Sequence, residues 1–186
     1  MNKIITYGAC FCANNLRENV WVNKLQKEFD KNGSGYEIMI RGLGAQNSRW
    51  GLKNISNVVG EEPKLVILEF GGTDAKNSDG VPFEESKKNI NKLIDILEYN
   101  NIDILLLTTL PIITKGRDKS LDIYFNMYKE VASNREVDII DFYSLFKELE
   151  ISDPNTFDLA LTDDKGHITK YGAVNCILPQ FKKYFK

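Results

Sequence analysis

Short apolar runs alternate with amphipathic segments along the whole chain, and this order most constrains the fold. Five runs are continuously apolar, which predicts strands buried on both faces; they lie at 4–7, 36–40, 65–70, 102–110 and 137–140. Apolar residues at three- and four-residue spacing predict helices at 20–32, 49–59, 83–99, 118–133 and 169–185, with a shorter one ending near 149. We therefore predict an α/β fold, in which a five-stranded parallel sheet carries helices on both faces and the crossovers are right-handed.

Two further features bear on the organisation of the chain. Residues 151–166 show neither period and predict a loop, with a turn at Asp153-Pro154-Asn155. The length of 186 residues suits a single domain spanning 1–186, and 42% of the residues are hydrophobic, which is enough for a sizeable core.

Charge and cysteine usage exclude several classes of function. The net charge is −2 and both signs are scattered, so we expect neither a nucleic-acid partner nor a polybasic membrane anchor. No apolar run approaches the roughly 20 residues that span a bilayer, and the first residues lack the pattern of a signal peptide. Three cysteines do not make a disulfide framework in a chain of this length. We expect a cytoplasmic protein with free thiols.

Chemically distinctive residues fall in the loops that follow the predicted strands. In a parallel sheet the ligand crevice lies beyond the carboxyl ends of the strands, and these loops begin at Gly8, Arg41, Gly71, Pro111 and Asp141. The first loop carries Cys10, which we place near the start of the next helix, where the positive end of the helix dipole favours a thiolate.

A base for this thiol is available only near the other end of the chain. His167 is the single histidine, and it is the only unperturbed side chain that exchanges a proton at neutral pH. Asp164 precedes it by three residues, a spacing that lets a carboxylate orient one imidazole nitrogen while the other faces the nucleophile. The order nucleophile, acid, base along the chain is one that catalytic triads use. Loops 41–48 and 71–74 would flank Cys10, and their N–H groups and the Thr73 hydroxyl are candidate oxyanion donors.

These motifs resemble those of the SGNH (GDSL-type) hydrolase family, in the family's order and over nearly the whole chain. The four blocks are Gly8-Ala9-Cys10-Phe11, Gly44-Ala45-Gln46-Asn47, Gly71-Gly72-Thr73-Asp74 and Asp164-Lys165-Gly166-His167. The resemblance implies a flavodoxin-like three-layer α/β/α sandwich and hydrolysis of a small-molecule ester, thioester or acetylated sugar. It implies catalytic roles for Cys10, His167 and Asp164, and oxyanion or substrate-binding roles for Gly44, Ala45, Gly72, Thr73 and Asp74. It implies no cofactor and no metal.

The chain departs from the family pattern at the residues that give the family its name. Cys10 replaces the nucleophilic serine, Ala45 the oxyanion glycine, Thr73 the oxyanion asparagine, and Ala9 the acid beside the nucleophile. Cysteine is the better nucleophile at neutral pH, and its thioester intermediate is suited to passing an acyl group to an amine or a thiol.

Three other interpretations therefore stay open. The same residues could serve an acyltransferase, or the chain could be a non-catalytic carbohydrate- or acyl-binding module on a decayed hydrolase scaffold. Cys10, Cys12 and His167 could also form a metal or redox site, although a Cys-x-Cys pair alone is a weak signal. Otherwise Cys12 and Cys176 are expected to pack in the core.

Overall fold

The computed structural model describes residues 2–13, 20–76, 79–111, 118–162 and 166–186. Its strands are β1 (Asn2–Gly8), β2 (Tyr36–Ile40), β3 (Leu65–Glu69), β4 (Asp103–Thr108) and β5 (Asp138–Asp141). Its helices are α1 (Val20–Asn32), α2 (Ser48–Val59), α3 (Gly71–Asp74), α4 (Phe83–Tyr99), α5 (Asp118–Arg135), α6 (Phe142–Ser152), α7 (Pro154–Ala160), α8 (Lys170–Gly172) and α9 (Leu178–Tyr184). A 3-10 turn, Cys10–Cys12, follows β1, and a π-helical segment, Ala173–Ile177, joins α8 to α9.

All five strands pair in parallel, in the order β2-β1-β3-β4-β5, which confirms the predicted sheet. The chain leaves β1 toward one edge to form β2 and then returns to the other side of β1 to form β3. The loops after β1 and β3 therefore diverge at their carboxyl ends, and a crevice opens between them. Cys10 follows β1 and Gly71–Asp74 follows β3, so both predicted site segments flank this crevice.

Helices cover both faces of the sheet, which confirms the three-layer sandwich. On one face Ile4 and Ile67 pack with α1, α6, α7 and the last helical segments, where the rings of Trp21 and Phe181 stack 4.3 Å apart. On the other face Ile5 and Val66 pack with α2, α4 and α5. Residues of the central strands β1, β3 and β4 alternate between two apolar cores, which explains why these strands are largely apolar, whereas the edge strands β2 and β5 are only partly buried. No helix within the described ranges is both long and apolar enough to cross a membrane.

The predicted loop at 151–166 is wrong in its first half, because α7 occupies Pro154–Ala160. The Asp153 side chain accepts a hydrogen bond from the Thr156 N–H at 3.1 Å, and Pro154 takes the first helical position. Asp-Pro is therefore a helix N-cap here and not a turn. Phe157 and Ala160 bury the inner side of α7 against the core, which supplies the stability that a helix of this length lacks alone.

Candidate active site

The 3-10 turn that carries Cys10 is fixed to the ends of β1 and β3. The Ala9 N–H donates to the Glu69 carbonyl oxygen at 2.8 Å, and the Thr6 hydroxyl donates to the Cys12 carbonyl oxygen at 3.0 Å. Cys12 is 1% exposed in the core, whereas Cys10 is half-buried and keeps part of its surface. The turn thus separates a buried thiol from an accessible one.

Cys10 begins only this single turn, since Ala13 after it is extended, and the described part of α1 begins at Val20. One turn of backbone aligns too few peptide dipoles to hold a thiolate as a full helix N-terminus would. Residues 14–19 lie outside the described residues, so a contribution of the α1 dipole at Cys10 stays a prediction. Ionisation of the thiol then depends on the side chain of a base and on local N–H donors.

The loop after β2 lies directly against the turn. The Leu43 N–H donates to the Gly8 carbonyl oxygen at 3.0 Å, and Gly42 forms an isolated parallel bridge with Ala13. A Cβ at Gly42 would press on the Cys12 carbonyl, 2.7 Å from its carbon, and would lie 2.8 Å from the Gly8 carbonyl oxygen. Only a glycine allows this approach.

This loop brings three predicted site residues together. The Ala45 N–H donates to Cys10 Sγ at 3.3 Å, across 35 residues of sequence. A Cβ built on Gly44 would lie 3.8 Å from the same sulfur. Ala45 has a φ of 61°, in the left-handed region where a non-glycine residue costs roughly 1–2 kcal/mol. The conformation that a glycine would adopt freely is retained by alanine, and the N–H points at the thiol.

The segment after β3 forms the single-turn α3 on the opposite side of the crevice. The Gly72 N–H donates to Glu69 Oε1 at 3.1 Å, and Thr73 is 5% exposed. Glu69 pairs with Gly8 in the sheet, which places α3 beside the strand that leads into Cys10. The role of the Thr73 hydroxyl as an oxyanion donor stays a prediction.

Asp74 is in the protein interior, not on the crevice surface. Its side chain is 1% exposed, with Oδ1 accepting from the Ser48 N–H at 2.8 Å and Oδ2 from the Ser86 hydroxyl at 2.5 Å. Burial raises the pKa of Asp74 above its ordinary range, and this outweighs the hydrogen bonds and the charge of Arg49. We predicted a substrate contact for this carboxylate, and its burial leaves it no surface for one.

Sequence reasoning missed the donors that surround Asp74. Ser48 and Ser86 are both fully buried, and the Asn89 side-chain amide donates to the Ser48 hydroxyl at 3.0 Å. A carboxylate after a buried strand signals that buried donors exist, since an unpaired buried charge is costly. It does not indicate which residues supply them.

His167 lies beside Thr162, close to the end of α7. The Thr162 N–H donates to the His167 carbonyl oxygen at 2.9 Å, and Leu161 forms an antiparallel bridge with Ile168. Ile168 belongs to the same buried cluster as Phe11, the neighbour of Cys10. Gly172 permits this packing, because a Cβ there would meet Ile168 Cγ1 at 2.8 Å. The His167 side chain is half-buried, and its pairing with Cys10 stays a prediction.

The third member of the predicted triad, Asp164, lies outside the described residues. The alternative metal site is wrong as proposed. Cys10, Cys12 and His167 are all described, and no group of three or more His, Cys, Asp or Glu side chains within the described ranges could hold a metal.

Solved structures share this architecture over nearly the whole chain. An acetyl xylan esterase, AlAXEase, is 22% identical, covers 99% of this chain and 100% of its own, and superposes with a TM-score of 0.86. The lipase/acylhydrolase from Enterococcus faecalis is 20% identical, covers 99% of this chain and 97% of its own, and has a TM-score of 0.83. A catalytic mutant of Axe2, an acetylxylan esterase from Geobacillus stearothermophilus, is 15% identical, covers 98% and 93%, and also has a TM-score of 0.83. At these identities the likeness establishes the fold.

Sequence comparison gives the family directly. No curated protein sequence matches the chain. Residues 5–173, which include Cys10, both crevice loops and His167, match the GDSL-like lipase/acylhydrolase family. With the fold and the order of the site segments in agreement, the chain belongs to the GDSL-like lipase/acylhydrolase family.

Proposed function

We propose that this protein is an acyl ester hydrolase that uses Cys10 as its nucleophile. The observation that carries the proposal is the hydrogen bond from the Ala45 N–H to Cys10 Sγ at 3.3 Å. It joins the accessible thiol after β1 to a backbone donor on the loop after β2. A carbonyl carbon attacked by this sulfur would carry its oxygen close to the same N–H, which is the geometry that stabilises an oxyanion.

The proposed reaction is a two-step acyl transfer. His167 removes the thiol proton, Cys10 Sγ attacks the carbonyl carbon, and the N–H groups of Cys10 and Ala45 with the Thr73 hydroxyl stabilise the oxyanion. Collapse of the tetrahedral intermediate expels the leaving group, which takes the proton from His167, and leaves a thioester on Cys10. Water, deprotonated by His167, then attacks the thioester and releases the carboxylic acid and the thiol. Asp164 orients His167 in both steps.

The proposed substrates are small acyl esters, thioesters or acetylated sugars. Family membership supports an acyl substrate, and two of the similar structures are those of acetyl xylan esterases by name. A half-buried nucleophile between loops suits a substrate that presents its acyl group at the surface of the crevice.

The experiment that tests the proposal is intact-protein mass spectrometry combined with p-nitrophenyl acetate hydrolysis. Wild type is expected to gain one acetyl group and to release nitrophenol, and both signals are expected to disappear in Cys10→Ala and His167→Ala. Cys176→Ala is the matched control, because it removes a thiol that is 8% exposed in the core. Turnover that persists in Cys10→Ala would refute the proposed nucleophile.

Two further measurements, the lifetime of the adduct and the binding of an acetylated sugar, distinguish the other interpretations. Faster loss of the acetyl group on addition of an amine or a thiol, with transfer to that acceptor, would identify an acyltransferase. Binding of an acetylated sugar that survives Cys10→Ala, without adduct or turnover in wild type, would identify a binding module.

A further inference from the structure

We propose that Asp74 is a positioning residue that joins the two oxyanion loops and sets the place of the Ala45 N–H. This inference rests on the proposed function, because it concerns the donors of the same site. Asp74 belongs to α3, after β3, whereas Ala45 belongs to the loop after β2. The two loops share no strand pairing, since β1 lies between β2 and β3 in the sheet.

The first step is the contact of Asp74 with the start of α2. Ser48 is the first residue of α2, and its N–H is one of the donors that a helix leaves without an internal partner. Asp74 Oδ1 accepts this N–H at 2.8 Å, while Asn47 caps the Trp50 N–H at 3.3 Å. The negative carboxylate also faces the positive end of the twelve-residue α2. The start of α2 is thus held at a fixed place relative to α3.

The second step leads from Ser48 back to Ala45. The loop is anchored on one side by the Leu43 N–H bond to the Gly8 carbonyl, at 3.0 Å, and on the other by the Ser48 bond to Asp74. Ala45 lies between these anchors with its φ of 61°. Because an alanine does not favour this conformation by itself, we infer that the anchors at either end maintain it together with the turn bond from the Gln46 N–H to the Leu43 carbonyl oxygen, at 3.3 Å.

The third step is the rigidity of Asp74 itself. Its carboxylate also accepts from the Ser86 hydroxyl of α4, and its carbonyl oxygen accepts from the Val81 N–H at 2.9 Å. Asn89 of α4 binds the Ser48 hydroxyl at 3.0 Å, so both ends of the contact rest on one helix. Asp74 therefore transmits the position of α4 and α3 to the loop that presents the Ala45 N–H.

The decisive comparison is Asp74→Ala with Asp74→Asn. Asparagine can still accept the Ser48 N–H, so it is expected to retain at least about a third of the wild-type kcat. Alanine removes the anchor, and kcat is expected to fall about 100-fold with KM changed less than about threefold, as for the loss of one oxyanion donor. Alkylation of Cys10 by iodoacetamide forms no oxyanion, so its rate is expected to fall by no more than about tenfold, through loss of the Ala45 N–H donor to the thiolate, and by less than kcat.

Thr108→Val is the control for a purely structural loss. The buried Thr108 hydroxyl donates to Asp141 Oδ1 at 2.7 Å and accepts from the Tyr143 N–H at 2.9 Å, outside both oxyanion loops. This variant is expected to unfold at a lower temperature while keeping its kcat. A kcat for Asp74→Ala equal to that of wild type, or a parallel fall in the alkylation rate, would overturn the assignment.

A backbone variant covers the case in which Asp74→Ala does not fold. Ser48→Pro removes the donated N–H at a first helical position, which proline tolerates, and Asn47 before it already has the extended backbone that proline requires, with a ψ of 177°. Its kcat is expected to fall as in Asp74→Ala, whereas Ser48→Ala, which keeps the N–H, is expected to retain most activity. Equal kcat in the two Ser48 variants would refute the role of this bond.

Amide hydrogen exchange tests the anchor independently of activity. Peptides covering 41–48 are expected to exchange faster in Asp74→Ala than in wild type and Asp74→Asn. If wild type shows no Cys10-dependent turnover, the proposed function fails while this measurement still decides the positioning role. Unchanged exchange in this segment would refute the anchor even if the enzyme is active.

Discussion

A methyl group added at Gly42 should separate the two halves of the oxyanion site. Gly42 is where the loop after β2 crosses the 3-10 turn, and the atoms that a Cβ would meet are all backbone. The Cβ would lie 2.8 Å from the Gly8 carbonyl oxygen, and ordinary contact begins at 3.4 Å, so the loop must move by at least about 0.6 Å. Because Gly8 ends β1, which is paired with both β2 and β3, we expect the loop that carries Ala45 to take up the shift.

The expected cost follows from this overlap. Forcing a methyl into a packed contact destabilises a protein by about 1–3 kcal/mol. At about 2 kcal/mol, Gly42→Ala should lower the melting temperature by roughly 4–8 °C for a chain of this size. Because the Ala45 N–H moves relative to Cys10 Sγ, kcat/KM should fall about 10- to 100-fold.

Thermal unfolding followed by circular dichroism and p-nitrophenyl acetate hydrolysis measure the two effects. Gly44→Ala is the matched control: it adds the same methyl to the same loop, where the nearest atom is Cys10 Sγ at 3.8 Å. Its melting temperature should stay within about 2 °C of wild type, because no backbone atom is displaced. Gly42→Ala that melts at the wild-type temperature with full activity would refute the close approach and its role in the site.

Three further predictions concern the neighbouring residues. Ala45→Gly should keep activity and raise the free energy of unfolding by up to about 1 kcal/mol, because the left-handed conformation no longer carries strain. A denaturant titration measures this, and a decrease of the free energy of unfolding by more than about 1 kcal/mol would contradict the prediction. Thr73→Val should lower kcat about 100-fold if the hydroxyl donates to the oxyanion, whereas Thr73→Ser should retain most of it in the same steady-state assay. Burial raises the pKa of Asp74, so the folded protein binds the carboxyl proton more tightly than the unfolded chain does. The stabilisation that this proton provides is complete below the ordinary pKa of 3.8 and declines as the pH rises through the raised pKa. Asparagine does not titrate, so denaturant unfolding of Asp74→Asn should show its stability rising relative to wild type from about pH 4 to pH 7; a constant difference would show that the pKa is not raised.

Regular elements were predictable because their signals are local. The ranges 36–40 and 83–99 coincide with β2 and α4. The apolar runs correctly indicated burial on both faces for β1, β3 and β4, whereas the edge strands β2 and β5 are only partly buried. The largest exception was α7, where Asp153-Pro154 is compatible with either a turn or a helix start. Burial of Phe157 and Ala160 against the core decides between them, and burial is not encoded in the tripeptide.

Part of the candidate site followed from the same local signals. A parallel sheet places the carboxyl ends of its strands along one edge, so the loops after the neighbouring strands β1 and β2 were expected to lie close together, and Cys10 does meet Gly44 and Ala45. The order of the strands alone decides which loops meet, so this prediction succeeded although the residues in the loops differ from the family pattern.

The sequence by itself determined the α/β class, the parallel sheet and the loops that would meet at its carboxyl edge. Only the tertiary structure decided that Ala45 holds a left-handed conformation, and that the carboxylate of Asp74 faces Ser48 and Ser86 in the interior. The physical reason is separation along the sequence, because periodicity and capping depend on residues within one or two helical turns of each other. The partners of a buried carboxylate lie 26 and 12 residues away, and they are selected by desolvation once the helices have packed.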